Sequence, residues 1–400
     1  MSHHDEPYFP SSQPCLSYWQ RTTRHWSRLT SGANESVPQT ADVVIIGSGL
    51  SGALVAYELL YNPSPPSNVV MLEAREVCSG ATARHAGHCR PDAYRGYSAY
   101  SAKHGSEQAI KILRHEKRVL QLMKTFIETH GIDCDFNYSK TVDVIMSQHF
   151  LEYVKRSYSD FDAAGGDLSD VTWLESEEAQ KITRVSGALG AVEWTAATLH
   201  SVKLCQGILD MAMDLGLAIF ANTTAQSVTM VRDGLWNVES SRGTITTPTV
   251  VHATNAYASS LLPFLGSIIQ PLRAQAHAVI PTQAFTGQSL LTQTYSIRYS
   301  LVDFYSVAQR PRDGLIILGG ANEEIQRDRL NWPDDCSVNK SIASNAIERL
   351  RSALSEWKEE AEGEGLQYGW TGILGMTPDS VPLIGAVPSL PVGHTLRLIQ

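Results

Sequence analysis

Val43-Val44-Ile45-Ile46-Gly47-Ser48-Gly49-Leu50-Ser51-Gly52 is the stretch on which the reading of this chain turns. Four apolar residues, a Gly-rich turn and the Ala/Leu-rich run Gly52 to Leu60 read as a buried strand, a tight turn and a helix, and Val69 to Leu72 follows as a second apolar strand. The glycines stand where a phosphate-cradling turn needs them. Gly47 permits the turn, Gly49 lets the backbone approach a pyrophosphate, and Gly52 lets helix pack on strand, while the helix N-terminus supplies amide donors and partial positive charge. Ser48, Leu50 and Ser51 share that turn. Glu73 closes the second strand, where a carboxylate accepts both ribose hydroxyls of an adenosine and repels a 2′-phosphate, which disfavours NADP. The Pro-rich loop Tyr61 to Asn68 accounts for a Gly47-to-Glu73 spacing longer than the usual value of about 20 residues.

The residues after Glu73 favour FAD over NAD. Ala74 and Arg75 are followed by Ser79-Gly80-Ala81-Thr82 and then Arg84, His85, Gly87 and His88, a second loop of small, hydroxyl-bearing and cationic residues facing phosphate. A flavin dinucleotide needs this extra cradle because its pyrophosphate and ring system extend past the first turn. His85, His88 and Cys89 also have a metal-like spacing, but no carboxylate cluster accompanies them, so no metal site is expected.

Composition sets the outer limits. Four hundred residues with 43% hydrophobic content can bury a large core in two or three structural units. Thirty-two Lys and Arg against 41 Asp and Glu leave a net charge of −9, with the basic residues scattered, which argues against a nucleic-acid surface. The longest apolar runs fall far short of the roughly 20 residues that span a bilayer. Six cysteines without a CxxC pair read as reduced thiols, and no secretory signal is visible, so a cytoplasmic location is expected.

Along the rest of the chain, residues 1–40 read as a flexible polar extension. Helices are expected over 106–129, 148–163, 202–216 and 341–360. Strands are expected over 141–146, over 225–231, 235–239 and 249–253 as a meander, and through 274–319 as an antiparallel sheet. The expected fold class is α/β (α+β overall): a Rossmann-like FAD/NAD(P)-binding domain with an interleaved antiparallel-sheet substrate domain. Residues 41–100, 197–273 and 366–400 would form the first, and 101–196 and 274–365 the second.

Further motifs are Ala253-Thr254-Asn255-Ala256, Gln309-Arg310-Pro311, Trp370-Thr371-Gly372, Thr377-Pro378-Asp379 and Pro382-Leu383-Ile384-Gly385. With Ser79 to His88, they make the chain resemble the FAD-dependent oxidoreductases of the D-amino-acid oxidase superfamily, in a fungal branch similar to glycine/sarcosine oxidases and γ-glutamylputrescine oxidase. That branch reads SGATGRNGGH where this chain has SGATARHAGH. The resemblance implies oxidation of the carbon–nitrogen bond of an amine or amino acid by hydride transfer to flavin N5, an imine product, and oxygen as acceptor giving hydrogen peroxide. No dedicated catalytic base is required, and none is named.

Val228, Thr254 and Asn255 complete the expected cofactor-contacting set. Tyr305, Arg310 and Arg273 are the expected substrate contacts, the arginines pairing with a carboxylate, and His277 reads as a packed histidine rather than a base. Covalent flavin attachment at His85, His88 or Cys89 stays open. Members of the superfamily continue beyond the Pro-x-Ile-Gly element into another strand and a Gly-rich turn. Here Gly385-Ala386-Val387-Pro388 and Gly393-His394-Thr395 lead to Gln400, which reads as a truncated form. The alternative function is therefore a non-catalytic remnant with impaired FAD binding.

Overall fold

The computed structural model describes residues 8–231, 234–321 and 334–387. The chain begins with a short helix α1 (Tyr18–Arg21), then β1 (Val43–Ile46), α2 (Leu50–Leu60) and β2 (Val69–Leu72). Next come β3 (His88–Cys89), α3 (Tyr97–His104), α4 (Ser106–His130), β4 (Asn137–Ile145), α5 (Gln148–Ala163), β5 (Thr172–Glu175), α6 (Ser176–Thr183) and β6 (Gly190–Thr198). They lead into α7 (Ser201–Asp214), β7 (Ala218–Phe220), β8 (Ala225–Met230), β9 (Trp236–Ser240), β10 (Gly243–Thr247), β11 (Thr249–His252) and α8 (Ala258–Leu261). The chain closes with β12 (Gln270–Ile280), β13 (Thr294–Arg298), β14 (Phe304–Gln309), β15 (Ile316–Ala321), α9 (Lys340–Ala353) and β16 (Gly365–Met376).

Three sheets organise these elements. A parallel sheet has the order β11-β1-β2-β7. Every residue of β1 and β2 is buried, as a parallel strand covered on both faces requires. A small antiparallel sheet, β10-β9-β8, lies beside it in sequence. The third sheet is nine-stranded, with the order β16-β12-β15-β14-β13-β4-β6-β3 and β5 also paired to β6; its β13–β4 junction is parallel. The main core joins the parallel sheet, α2 and α7 to β12 and Trp370, so the two layers share one apolar interior. None of the described helices is long and apolar enough to cross a membrane.

Several expectations need correction. The described part of the N-terminal extension is packed rather than loose: Trp19 is 1% exposed, and α1 opens with a Ser17/Gln20 capping box. The meander is built from β8, β9 and β10. Residues 249–252 instead pair in parallel with β1 as the edge strand of that sheet, where Val250, Val251 and His252 are buried. Residues 365–376, assigned to the nucleotide-binding part, run as a twelve-residue strand of the large sheet. The last helix stops at Ala353, where Leu354 leaves helical geometry and Trp357 turns inward onto Phe285, ring centroids 5.5 Å apart. Arg232, Asp233 and the closing stretch 388–400, on which the expectation of a truncated form turned, lie outside the described residues.

Candidate functional site: a dinucleotide cleft and an arginine cluster

A cleft opens at the carboxyl ends of the parallel strands, where ligands of doubly wound folds bind. Gly47 has φ +107°, and a Cβ there would lie 2.4 Å from the Ala253 carbonyl oxygen. At Gly52 a Cβ would lie 2.0 Å from the Gly47 oxygen, so helix and strand are in direct backbone contact. Gly49 is the N-cap of α2, and its side faces the Thr82 hydroxyl, which accepts a hydrogen bond from Leu50 N at 2.9 Å. The N–H groups of Ser51 and Gly52 lie in the first helical turn and have no partner within the helix. Open space lies beside Gly80 across the cleft. This cradle, with the Thr254 hydroxyl on its wall buried and unpartnered among the described residues, fits a dinucleotide pyrophosphate.

Glu73 is 8% exposed and lines the cleft, but its carboxylate is already engaged. Oε2 accepts from Ser48 N (3.1 Å) and Ser48 Oγ (2.5 Å), and Oε1 accepts from Arg75 N (3.0 Å). Ser48 Oγ in turn accepts from Cys78 N at 2.8 Å. This network fixes the carboxylate at the end of β2, with its remaining lone pairs available to a ribose.

The expected contacts divide. Gly47 to Ser51, Glu73, Ala74, Arg75, Gly80, Ala81, Thr82, Thr254 and Asn255 line the cleft, and Gly52 lies behind it. The guanidiniums of Arg75 and Arg84 are largely engaged, although Arg75 Nε is buried without a partner among the described residues. Both are tied to the buried Asp335 (3.0 and 3.3 Å) and to the Ser79 carbonyl, and burial, opposed by Asp335, lowers the Arg84 pKa. They staple the loop instead. His85 accepts from Gly87 N through Nδ1, its carbonyl oxygen accepts from Trp19 Nε1, and neither residue nor His88 lines the cleft. Val228 packs with the small sheet, and Thr223 to Ala225 form the wall in its place. Those residues follow the end of β7, a position that the strand-end rule identifies once the strand order is known.

All three expected substrate contacts are placed elsewhere. Tyr305 donates to Asn345 Oδ1 on α9, on the far face of the sheet, because side chains alternate along a strand. Arg310 is paired with Asp135 (2.8 Å) and Asp313 (3.2 Å) and stacks over Tyr18 and Trp19. Arg273 reaches Asp334 and Ser337. His277 is 1% exposed and bonds to Gln275 and the Leu318 carbonyl, as a packed histidine should.

On the other face, Gly319, Ser306, Ser296 and Asp143 form a row across four neighbouring strands. A Cβ on Gly319 would lie 3.6 Å from that of Ala86, so the loop leading from the cleft lies over this row. Asp143 is fully buried. Its Oδ1 accepts from Arg90 Nη2 (2.6 Å) and Arg298 Nε (3.0 Å), and its Oδ2 accepts from Arg95 Nη1 (2.7 Å) and Tyr94 OH (3.3 Å). Burial opposes ionisation of Asp143, but the three guanidiniums overcome it and hold the carboxyl well below the usual range. Burial and the neighbouring Arg95 push Arg298 down to about 10. Asp92 shares Arg95 at 3.3 Å, and Glu116, which burial and Asp92 raise to about 7, accepts from Asp92 N at 2.7 Å, so around Asp143 itself three guanidiniums share one carboxylate. Arg90 Nε and both ring nitrogens of His88 are buried without a partner among the described residues. Sequence reading missed this cluster because its members come from positions 90, 95, 143 and 298, with no local pattern to join them.

A nucleotide cradle on a parallel sheet, joined to a large mixed sheet, is the architecture of a flavin-dependent oxidoreductase. The chain belongs to the DAO family, described as FAD dependent oxidoreductase, whose model matches residues 42–396, and it is an FAD-dependent enzyme. It is 24% identical over 357 residues to a protein described as probable oxidoreductase OrdL from Haemophilus influenzae, covering 87% of this chain and 76% of that one. It is 24% identical over 400 residues to human mitochondrial sarcosine dehydrogenase, covering 95% of this chain and 40% of the relative. The crystal structure of glycine oxidase from Geobacillus kaustophilus superposes with a TM-score of 0.72 at 18% identity, covering 90% of this chain and 89% of that one.

Proposed function

We propose that this enzyme oxidises the carbon–nitrogen bond of an amine or amino acid that carries a carboxylate. The observation that carries the substrate side is the excess of guanidinium around Asp143, beside the unpartnered His88 and Arg90 Nε. A substrate carboxylate supplies the missing acceptor in bidentate form, which guanidinium favours. Relatives named sarcosine dehydrogenase and glycine oxidase, whose substrates are small amino acids, support the same class.

In this reading Gly47 to Gly52 and the Gly80–Thr82 loop hold the pyrophosphate of FAD, Glu73 holds the adenosine ribose, and Thr254 and Asn255 close the wall. When bound, FAD supplies the acceptor for the hydride leaving the carbon that bears nitrogen; water hydrolyses the imine, and oxygen takes up the electron pair as hydrogen peroxide. Arg90 and Arg298 orient the substrate through its carboxylate, Asp143 holds both guanidiniums in place, and the apolar seam between the sheets excludes water.

The test is to purify the 400-residue chain, record its visible spectrum before and after denaturation and ultrafiltration, and then screen amines with and without a carboxylate for peroxide. A flavin released into the filtrate and peroxide formed from carboxylated amines are the expected results. A folded protein that stays colourless with added FAD would overturn the reading.

A further inference from the structure

The matched family region starts at residue 42, after a segment whose composition reads as a polar extension. That segment nevertheless enters the nucleotide cleft. Phe9 and Pro10 are part of its lining, together with Glu73 and Arg75. On one side Tyr8 anchors the segment: its hydroxyl donates to the Ala256 carbonyl, its own carbonyl accepts from Ser260 Oγ, and its ring lies 6.0 Å from that of Tyr257. On the other side the Ser11 carbonyl accepts from Arg75 Nη1 (3.4 Å), and Cys15 N donates to the Asp335 carbonyl (3.0 Å). Residues 8–11 therefore cross the cleft mouth from the wall after β11 to the wall after β2.

Phe9 stands out within this strap. It is 37% exposed, and no ring partner accompanies it among the described residues. An aromatic side chain lining the same cleft as the carboxylate suited to an adenosine ribose offers a stacking surface for a purine base. We propose that residues 8–15 form a strap over the dinucleotide site, in which Phe9 packs on the adenine of FAD and the two anchors keep it there. The inference rests on the cleft being the flavin site, and the experiment separates the two.

Adenosine 5′-diphosphate is the probe, because it carries the adenosine end of FAD without the flavin. Its affinity for the full chain stripped of flavin is measured by calorimetry, and FAD affinity by quenching of flavin fluorescence. Phe9→Ala is expected to weaken both by a similar factor, roughly 5- to 150-fold, as loss of one base–aromatic stack implies. Phe9→Trp should retain affinity, and the diphosphate should slow hydrogen exchange of the amides in residues 8–15. The half-exposed position of Phe9 makes folding of both variants straightforward. Gly49→Val, which fills the cradle at a φ of −69° that valine accepts, is the control. If Gly49→Val abolishes binding while Phe9→Ala binds both probes as the wild type does, the strap is overturned and the cleft stands. If both variants bind as the wild type does, the cleft assignment fails and the strap with it.

Discussion

Arg298 on β13 and Asp143 on β4 meet across the parallel junction of the large sheet, Nε 3.0 Å from Oδ1, with the carboxylate wholly shielded from water. Arg90 reaches the same oxygen from the loop that leaves the nucleotide cleft. The pairing thus ties the cofactor side of the molecule to the sheet.

Replacing Arg90 by Met should raise KM for a carboxylated amine roughly 10- to 100-fold with a smaller change in kcat. A hydrogen bond to a charged group contributes about 1.5–3 kcal/mol. Steady-state kinetics on an amine pair differing only in the carboxylate checks this, and equal losses on both members would remove Arg90 from substrate recognition.

Asp143→Asn should act on stability instead. Three guanidiniums would then share a neutral partner in a buried site, and breaking such a network costs about 3–5 kcal/mol. The expected result is a clearly lower Tm in calorimetry; an unchanged Tm would mean that the Asp143 charge does not hold the three guanidiniums together.

Trp19→Ala tests whether the segment before β1 belongs to the folded unit. Trp19 is 1% exposed, packs edge-on to His200 at 4.8 Å, and donates from Nε1 to the His85 carbonyl at 2.6 Å. Truncation of a buried aromatic costs about 3–5 kcal/mol. Denaturant unfolding should show that loss, whereas a change below about 0.5 kcal/mol, the range of ordinary surface substitutions, would mean the segment contributes nothing.

Stability should fall as pH drops below about 6.5. Burial pushes the His200 and His252 imidazoles down to about 3, so between these values the unfolded chain binds more protons than the folded one. Each group contributes a slope of up to about 1.4 kcal/mol per pH unit in that window. Glu116 works the other way: burial and Asp92 raise it to about 7, so its contribution is present below its unfolded value and is lost as pH rises towards 7. His85, pushed down by burial to about 4, and His88, to about 3, add to the imidazole side, so four imidazoles against one carboxyl leave a net gain with rising pH. Chemical denaturation across this range checks the slope, and His252→Gln should flatten it by one group's share.

Legibility followed the range of the interactions. The glycine turn, both flanking strands and Glu73 could be read because each is a local requirement: a positive φ at Gly47, close backbone contact at Gly52, and burial on both faces of β1 and β2. Helix α5 was read to the residue for the same reason, its start fixed by Ser147 accepting from Phe150 N. The N-terminal extension was misread because a polar composition hides one deeply buried tryptophan and the bonds that α1 makes to the loop beneath it.

The sequence by itself determined that a nucleotide-binding βαβ unit lies in this fold, since that feature resides in contiguous residues and backbone geometry, and its ordered motifs pointed to FAD through a family resemblance. Only the tertiary structure decided which side chains face one another. It sent Tyr305 to α9 and left its neighbour Ser306 over the row with Asp143, paired Arg310 and Arg273 with their own carboxylates, and gathered Arg90, Arg95 and Arg298 around one buried acid. The physical reason is that strand register and sheet order set these contacts, and a shift of one residue exchanges the two faces of a strand without altering its composition.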